Sequence, residues 1–166
     1  MKKGILIICC FYAFTSFRNT LIDMNQVRAL YKEAANNENS CEKLIEISAG
    51  SANESSLILG YKASGMLIMA KHVFSPFSKM TYFKKGKQML EKAITSDKND
   101  IELRFLRFTA QTNMPFFLGY SGSIESDKQF ILHSFPHIKD IELKKFMMPV
   151  LRESKYLTDK EKQQLN

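Results

Sequence analysis

Four residues with the chemistry of a recognition site recur at turn spacing: Asp100, Arg104, Arg107 and Gln111. Projected at 100° per residue, a helix over 101–112 brings them to one narrow stripe. The rest of its circumference is apolar, with Ile101, Phe105 and Phe108 together and Leu103, Leu106 and Ala110 adjoining. Two guanidiniums on an otherwise buried helix suit carboxylate or phosphate recognition, because each planar fork matches two oxygens. The same stripe also suits internal pairing with acids such as Glu102 or Glu125, or plain hydration, and such pairs are common and individually weak. Tyr61 and Tyr120 join Arg104, Arg107 and Gln111 as candidate partner-binding residues.

Other constellations carry less. His133 and His137 are four apart, but Pro136 between them interrupts a shared helical face. With no HExxH pattern and Cys41 remote in sequence, no metal site is expected. Gly119-Tyr120-Ser121-Gly122-Ser123 falls one residue short of G-x-S-x-G, and the nucleophile elbow needs a preceding strand that the pattern does not supply. Glu125 and Asp127 fit the first turn of a helix better than an acid/base pair. No glycine loop of the phosphate-cradling kind is present, so no cofactor is expected. Lys84, Lys85 and Lys87 form a basic run that fits a solvated helix face or an anionic membrane surface.

The elements that must hold these residues are helical. Residues 77–111 read as helix, polar turn and helix, the hairpin around which the rest is expected to pack. Ser75-Pro76 is a start signal, Ser as cap and Pro in the first position. Phe83, Gly86, Leu90, Ala93 and Ile94 line one side as far as about Thr95, and Glu91 is placed to face Lys87. Residues 96–100 (SDKND) turn the chain, with Asn99 or Asp100 as the next cap. Before this hairpin, Asp23 caps a helix reaching Ala35, and Asn39 with Glu42 suggests a capping box for a short helix ended by Gly50. Residues 57–70 are apolar on nearly every side, which marks a central buried helix too short for a membrane span. After it, residues 113–123 form an aromatic loop with two glycines. Ser123 is the expected cap of a helix over 124–134, Pro136 breaks the chain, and 140–151 is helical with Pro149 near its end. A last, almost wholly polar helix after Thr158 is expected to fray.

Composition agrees with one folded unit. The chain has 166 residues, 45% hydrophobic and 25% charged, which is ordinary for a globular domain. With no Trp, its 13 Phe and 9 Met supply much of the bulky filling. The net charge is +7, but Lys2, Lys3 and Arg18 lie in the first 18 residues, which hold no acid. Without them 21 bases face 17 acids, a mild +4. No Arg-rich tract or nucleic-acid motif accompanies it, so nucleic acid is not an expected partner. Residues 1–18 have the pattern of a secretory signal or N-terminal anchor: a basic start, then an uncharged run over 4–17. At 14 residues that run is short for a membrane span. Export to the periplasm or cell envelope is therefore expected, with 19–166 as a single helical domain and membrane contact only through the N-terminal segment if it stays uncleaved. If the leader is removed with Cys9 and Cys10, Cys41 has no disulfide partner and is either a buried small apolar residue or a surface thiol.

Leu90, Ala93 and the turn Asp97-Lys98-Asn99, with Gly86 ahead of them, resemble the end of a tetratricopeptide repeat; Lys98 stands where that repeat has proline. Leu59-Gly60-Tyr61 resembles part of a preceding first helix, although its distance to Gly86 exceeds the normal repeat and no 34-residue self-match runs along the chain. The wider pattern F-x-x-G-x-x-x-L-E-K-A-I, E-L-R-F-L-R and P-F-F-L-G-Y is similar to small exported helical proteins of Bacteroidetes-type bacteria. The resemblance implies an all-α fold of antiparallel hairpins, a tetratricopeptide-like array of about six to eight helices. It implies export and supplies no activity. The function expected is a non-catalytic scaffold or binding protein that docks a peptide or protein through the inner face of the array. Replacing Arg104 and Arg107 by alanine should then abolish capture without unfolding. The alternative is an enzyme, or an enzyme's accessory subunit, using the 113–123 loop. A pocket beside that loop with convergent polar groups would favour it.

Overall fold

The computed structural model describes residues 22–47 and 55–165, and among these the fold is all-helical. The leader over 1–18 with Cys9 and Cys10, the stop at Gly50, and the polar break over 51–54 lie outside the described residues. Eight α-helices follow in order: α1 (Met24–Ala34), α2 (Glu38–Glu46), α3 (Ser56–His72), α4 (Pro76–Ser96), α5 (Ile101–Asn113), α6 (Ile124–Ser134), α7 (Ile141–Glu153) and α8 (Asp159–Gln163). Short 3-10 turns at Phe116–Leu118 and Phe135–His137 flank α6. No described helix is long and apolar enough to cross a membrane.

Local signals set most of the boundaries. Asp23, Ser55, Ser75, Asp100 and Asp140 each accept a backbone N–H from the first turn that follows, removing one or two orphan donors. Three local expectations are corrected. Asn37, not Asn39, caps α2: its side chain accepts from the Ser40 N–H at 3.1 Å, because the helix begins two residues earlier than the capping-box pattern implied. Ser123 precedes α6 without capping it through its hydroxyl. The C-terminal helix does not stand as a loose polar end. Thr158 and Glu161 form a true capping box, Glu161 meets Lys128 at 3.2 Å, and Leu157 and Leu165 are buried on either side of it. Pro149 sits within α7, which runs on to Glu153.

The tightest pairing is α3 with α4, not α4 with α5. Gly86 explains why. A Cβ there would lie 2.9 Å from the Ala63 carbonyl oxygen and 2.7 Å from Leu67 Cγ, so the absent side chain lets α4 close onto the backbone of α3. Gly86→Ala is therefore expected to destabilise the fold by about 1–3 kcal/mol through overpacking, against a helix-propensity gain of roughly 1 kcal/mol. Gly122→Ala, with nothing within 4 Å, is expected to be near neutral, and urea titrations of the two variants compare them.

α3 is buried along most of its length and α5 almost all round, as the apolar periodicity implied. Leu103, Phe105, Leu106 and Phe108 of α5 are wholly buried. Each such side chain contributes about 1.5–3 kcal/mol of transfer free energy. Phe105 meets Phe146 of α7 edge-on at 5.4 Å, and Tyr31 of α1 meets Tyr61 of α3 at 5.7 Å, so aromatic contacts tie α5, α7, α1 and α3 into one core. Cys41 is the buried small residue of the two alternatives. Its thiol donates to the Gly65 carbonyl at 3.2 Å, and burial, with Glu38 and Glu42 nearby, pushes its pKa up to about 11.

Candidate functional site

Helical spacing puts Arg104 and Arg107 one turn apart on α5, where both reach the first turn of α6. Asp127 is there, completely buried. Arg107 forks onto it, Nε to Oδ2 at 2.7 Å and Nη2 to Oδ1 at 2.8 Å, and Arg104 Nη1 adds a third bond at 2.8 Å. The remaining Arg107 nitrogen, Nη1, donates to Glu91 of α4 at 2.7 Å, and Glu91 also accepts the Tyr120 hydroxyl at 2.7 Å. Glu91 therefore faces α5 rather than Lys87. The partners of the arginines are Asp127 and Glu91, neither of the two acids, Glu102 and Glu125, that the sequence offered. Burial works against the Arg107 charge, but the Asp127 bonds and charge outweigh it and raise its pKa. Burial first, then the bond to Glu91, raises the Tyr120 phenol above its ordinary range, so it stays neutral.

Tyr61 belongs to a second cluster, around Glu102 in the first turn of α5. Its hydroxyl donates to Glu102, which Arg28 of α1 grips with Nε and Nη2 at 2.8 Å each. Arg28 Nη1 reaches Asp140, the cap of α7, at 3.1 Å. Sequence reasoning missed Arg28 entirely, because an arginine on an amphipathic helix normally reads as solvent-facing. Together the two clusters bind α5 to α1, α3, α4, α6 and α7. Tyr61, Arg104 and Arg107 are thus spent on internal bonds and do not converge on an open surface.

Gln111 and Tyr120 do meet at an opening. Both line a cleft of about 290 Å³ beside the 113–123 loop, with Met114, Phe116, Ser121 and Tyr156. The loop is held by the Phe116–Leu118 turn and by Gly119, whose φ of 62° is the left-handed region that glycine adopts without penalty. Gln111 is almost fully buried, and its Oε1 accepts the Ser123 N–H at 3.2 Å. That backbone donor fixes the amide orientation and leaves Nε2 as a donor with no acceptor among the described residues. Phe116 stands 83% exposed at the rim, and Tyr156, which packs edge-on against Phe108 at 6.4 Å, closes the far side. Glu125 also lines the cleft. The Gln129 amide, then Lys128, holds its carboxyl below the usual carboxylate range, so it stays charged. Tyr156 was missed from sequence because it lies between helices, outside any periodic pattern.

The cleft offers one buried amide donor, an aromatic rim and a rim carboxylate. At the small end of ligand pockets, about 300–1,000 Å³, it has room for one large side chain and its adjoining peptide group. No described hydrogen bond joins the Ser121 hydroxyl to a base. His133 and His137 are exposed, their rings 6.2 Å apart at the opposite end of α6, about 15 Å along the helix. No group of three or more metal-ligating side chains occurs among the described residues. The chain matches no protein-family model, no curated protein and no solved structure.

Proposed function

We propose that this is a non-catalytic binding protein of the cell envelope, exported by its N-terminal segment, which takes a peptide or protein segment in the cleft at α5 and the 113–123 loop. The observation that carries the reading is Gln111: a buried amide donor without an acceptor among the described residues, lining a cleft with an aromatic rim. A buried donor left unmade costs free energy, and a backbone carbonyl from an extended peptide satisfies it while an apolar side chain fills the space beside Met114, Phe116 and Tyr156. The succession of helical hairpins from α3 to α6, with Gly60 and Gly86 at the contacts between helices, supports a tetratricopeptide-like scaffold behind that cleft. The Arg104 and Arg107 stripe is no longer the docking surface in this reading.

The second reading keeps an enzyme, or its accessory subunit, at the same loop, favoured by the presence of a cleft with Tyr120, Ser121 and Glu125 on its walls. The neutral Tyr120, and a Ser121 with no base beside it among the described residues, count against it.

Random heptapeptides displayed on phage and selected against the full chain test the proposal. Selected peptides are expected to carry a large apolar or aromatic residue. Gln111→Leu should weaken their binding by about 1–3 kcal/mol and, because it also orphans the Ser123 N–H, should lower the urea midpoint of the fold modestly without unfolding it. Undiminished binding by the Leu variant would remove Gln111 from the site.

A further inference from the structure

The tip of the α3–α4 hairpin exposes apolar surface that the cleft does not use. Phe74, in the three-residue connection, is 97% exposed, and Phe77, in the first turn of α4, is 82% exposed; Met80 follows one turn later on the outer face. The tip is well held. Ser75 accepts the Ser78 N–H, Pro76 takes the first helical position, and Lys71 and His72 anchor the end of α3 by donating to the Ala35 carbonyl and by contacting the Ala34 carbonyl at 2.7 Å. Two phenylalanines fixed in water on either side of a helix start form an apolar patch, not a scattered pair of surface residues.

Along the hairpin itself the charge is of one sign. From residue 55 to residue 90 the chain has six lysines and no acid. Lys71 and Lys79 are exposed beside the tip, and Lys84 and Lys85 are exposed one to two turns further along α4. Residues 73–78, between Lys71 with His72 and Lys79, carry no charge at all. An uncharged aromatic point backed by cations whose long stems can lie along apolar surface matches the layered chemistry of an anionic bilayer, acyl chains beneath phosphates. A protein partner would need a matching acidic rim around an apolar socket. The bilayer supplies both layers everywhere and demands no shape match from two protruding rings.

We propose that the α3–α4 tip inserts Phe74 and Phe77 into the interface of an anionic membrane, with Lys79, Lys84 and Lys85 on the lipid phosphates. Lys87 contributes less, because its ammonium lies over the Tyr120 ring at 5.0 Å. This contact is separate from any anchoring by residues 1–18.

The chain has no tryptophan, so a single substitution makes a local reporter. Phe77→Trp is expected to shift its emission to the blue with vesicles of mixed phosphatidylglycerol and phosphatidylcholine. Brominated acyl chains should quench it, and pure phosphatidylcholine should have little effect. Ile141→Trp, on exposed α7 beside the Asp140 cap at the opposite end, is the control and should neither shift nor be quenched. Adding Phe74→Ser to Phe77→Trp should weaken vesicle binding about tenfold or more. Raising the salt should weaken it further, as surface charges are screened. The proposal is overturned by an unshifted Phe77→Trp spectrum on anionic vesicles, or by equal quenching of the Ile141→Trp control. A concentration-dependent shift without lipid would also overturn it, assigning the patch to a second copy of the chain.

Discussion

Arg28→Met is expected to destabilise the fold by about 3–5 kcal/mol, the usual cost of leaving a buried charge without its partner. Glu102 is only 3% exposed, and with Arg28 gone its carboxylate keeps just the Tyr61 hydroxyl. Asp140 loses less, because its side chain is half in water. The loss belongs to the orphaned charge and not to a large net worth of the pair. Arg28→Met with Glu102→Met and Tyr61→Phe should therefore lie much closer to wild type than Arg28→Met alone, since apolar groups of similar volume often replace a buried pair with little penalty. Urea titrations followed by circular dichroism compare the two proteins. A single variant as stable as wild type would mean that water reaches Glu102 and that the cluster is not a buried staple.

The second large effect is at the Arg104 and Arg107 stripe of α5. Arg104→Ala with Arg107→Ala is expected to cost at least about 3–5 kcal/mol and to unfold a marginally stable domain. Asp127 is completely buried, and these two side chains make all three of its side-chain ion-pair bonds among the described residues. Arg104 also loses its stacking on Phe130, 5.0 Å away. This reverses the expectation from sequence that both arginines could be removed with the fold intact. Adding Asp127→Ala should recover much of the loss, because Glu91 is 38% exposed in its side chain and can turn to water. If the double variant folds normally, the stripe is free for a ligand after all.

These two clusters also show how much was legible in the chain. The helices were, because their signals are local: Asp23, Ser75-Pro76 and Asp100 each announce a start, and the apolar period of 101–112 correctly implied a helix buried almost all round. The stripe of Arg104, Arg107 and Gln111 was visible for the same reason. The partners were not. Arg28 and Glu102 are 74 residues apart, and Arg107 and Asp127 are 20 apart, so only the packing of α1 and α6 on α5 brings them together. Asp127 had a sufficient local explanation as a first-turn acid, and that concealed its role as a buried anchor. The 113–123 loop stood out by its aromatics and glycines, yet its cleft needs Tyr156 from beyond α7. The preference for α3–α4 over α4–α5 as the central pairing turned on Gly86, a residue placed by the sequence pattern on the packed side of α4 but decisive only once Ala63 was seen opposite it.

The central claim is that partners enter at Gln111 and the 113–123 loop, while the arginine stripe is internal. Backbone amide chemical shifts of the isotope-labelled full chain, recorded as a selected apolar peptide is added, test it most directly. The account predicts that the largest changes fall at Gln111, Ser121, Gly122 and Tyr156, with Arg28, Tyr61 and Arg104 little moved. Largest changes around Arg104 and Asp127, with the cleft residues unmoved, would contradict it.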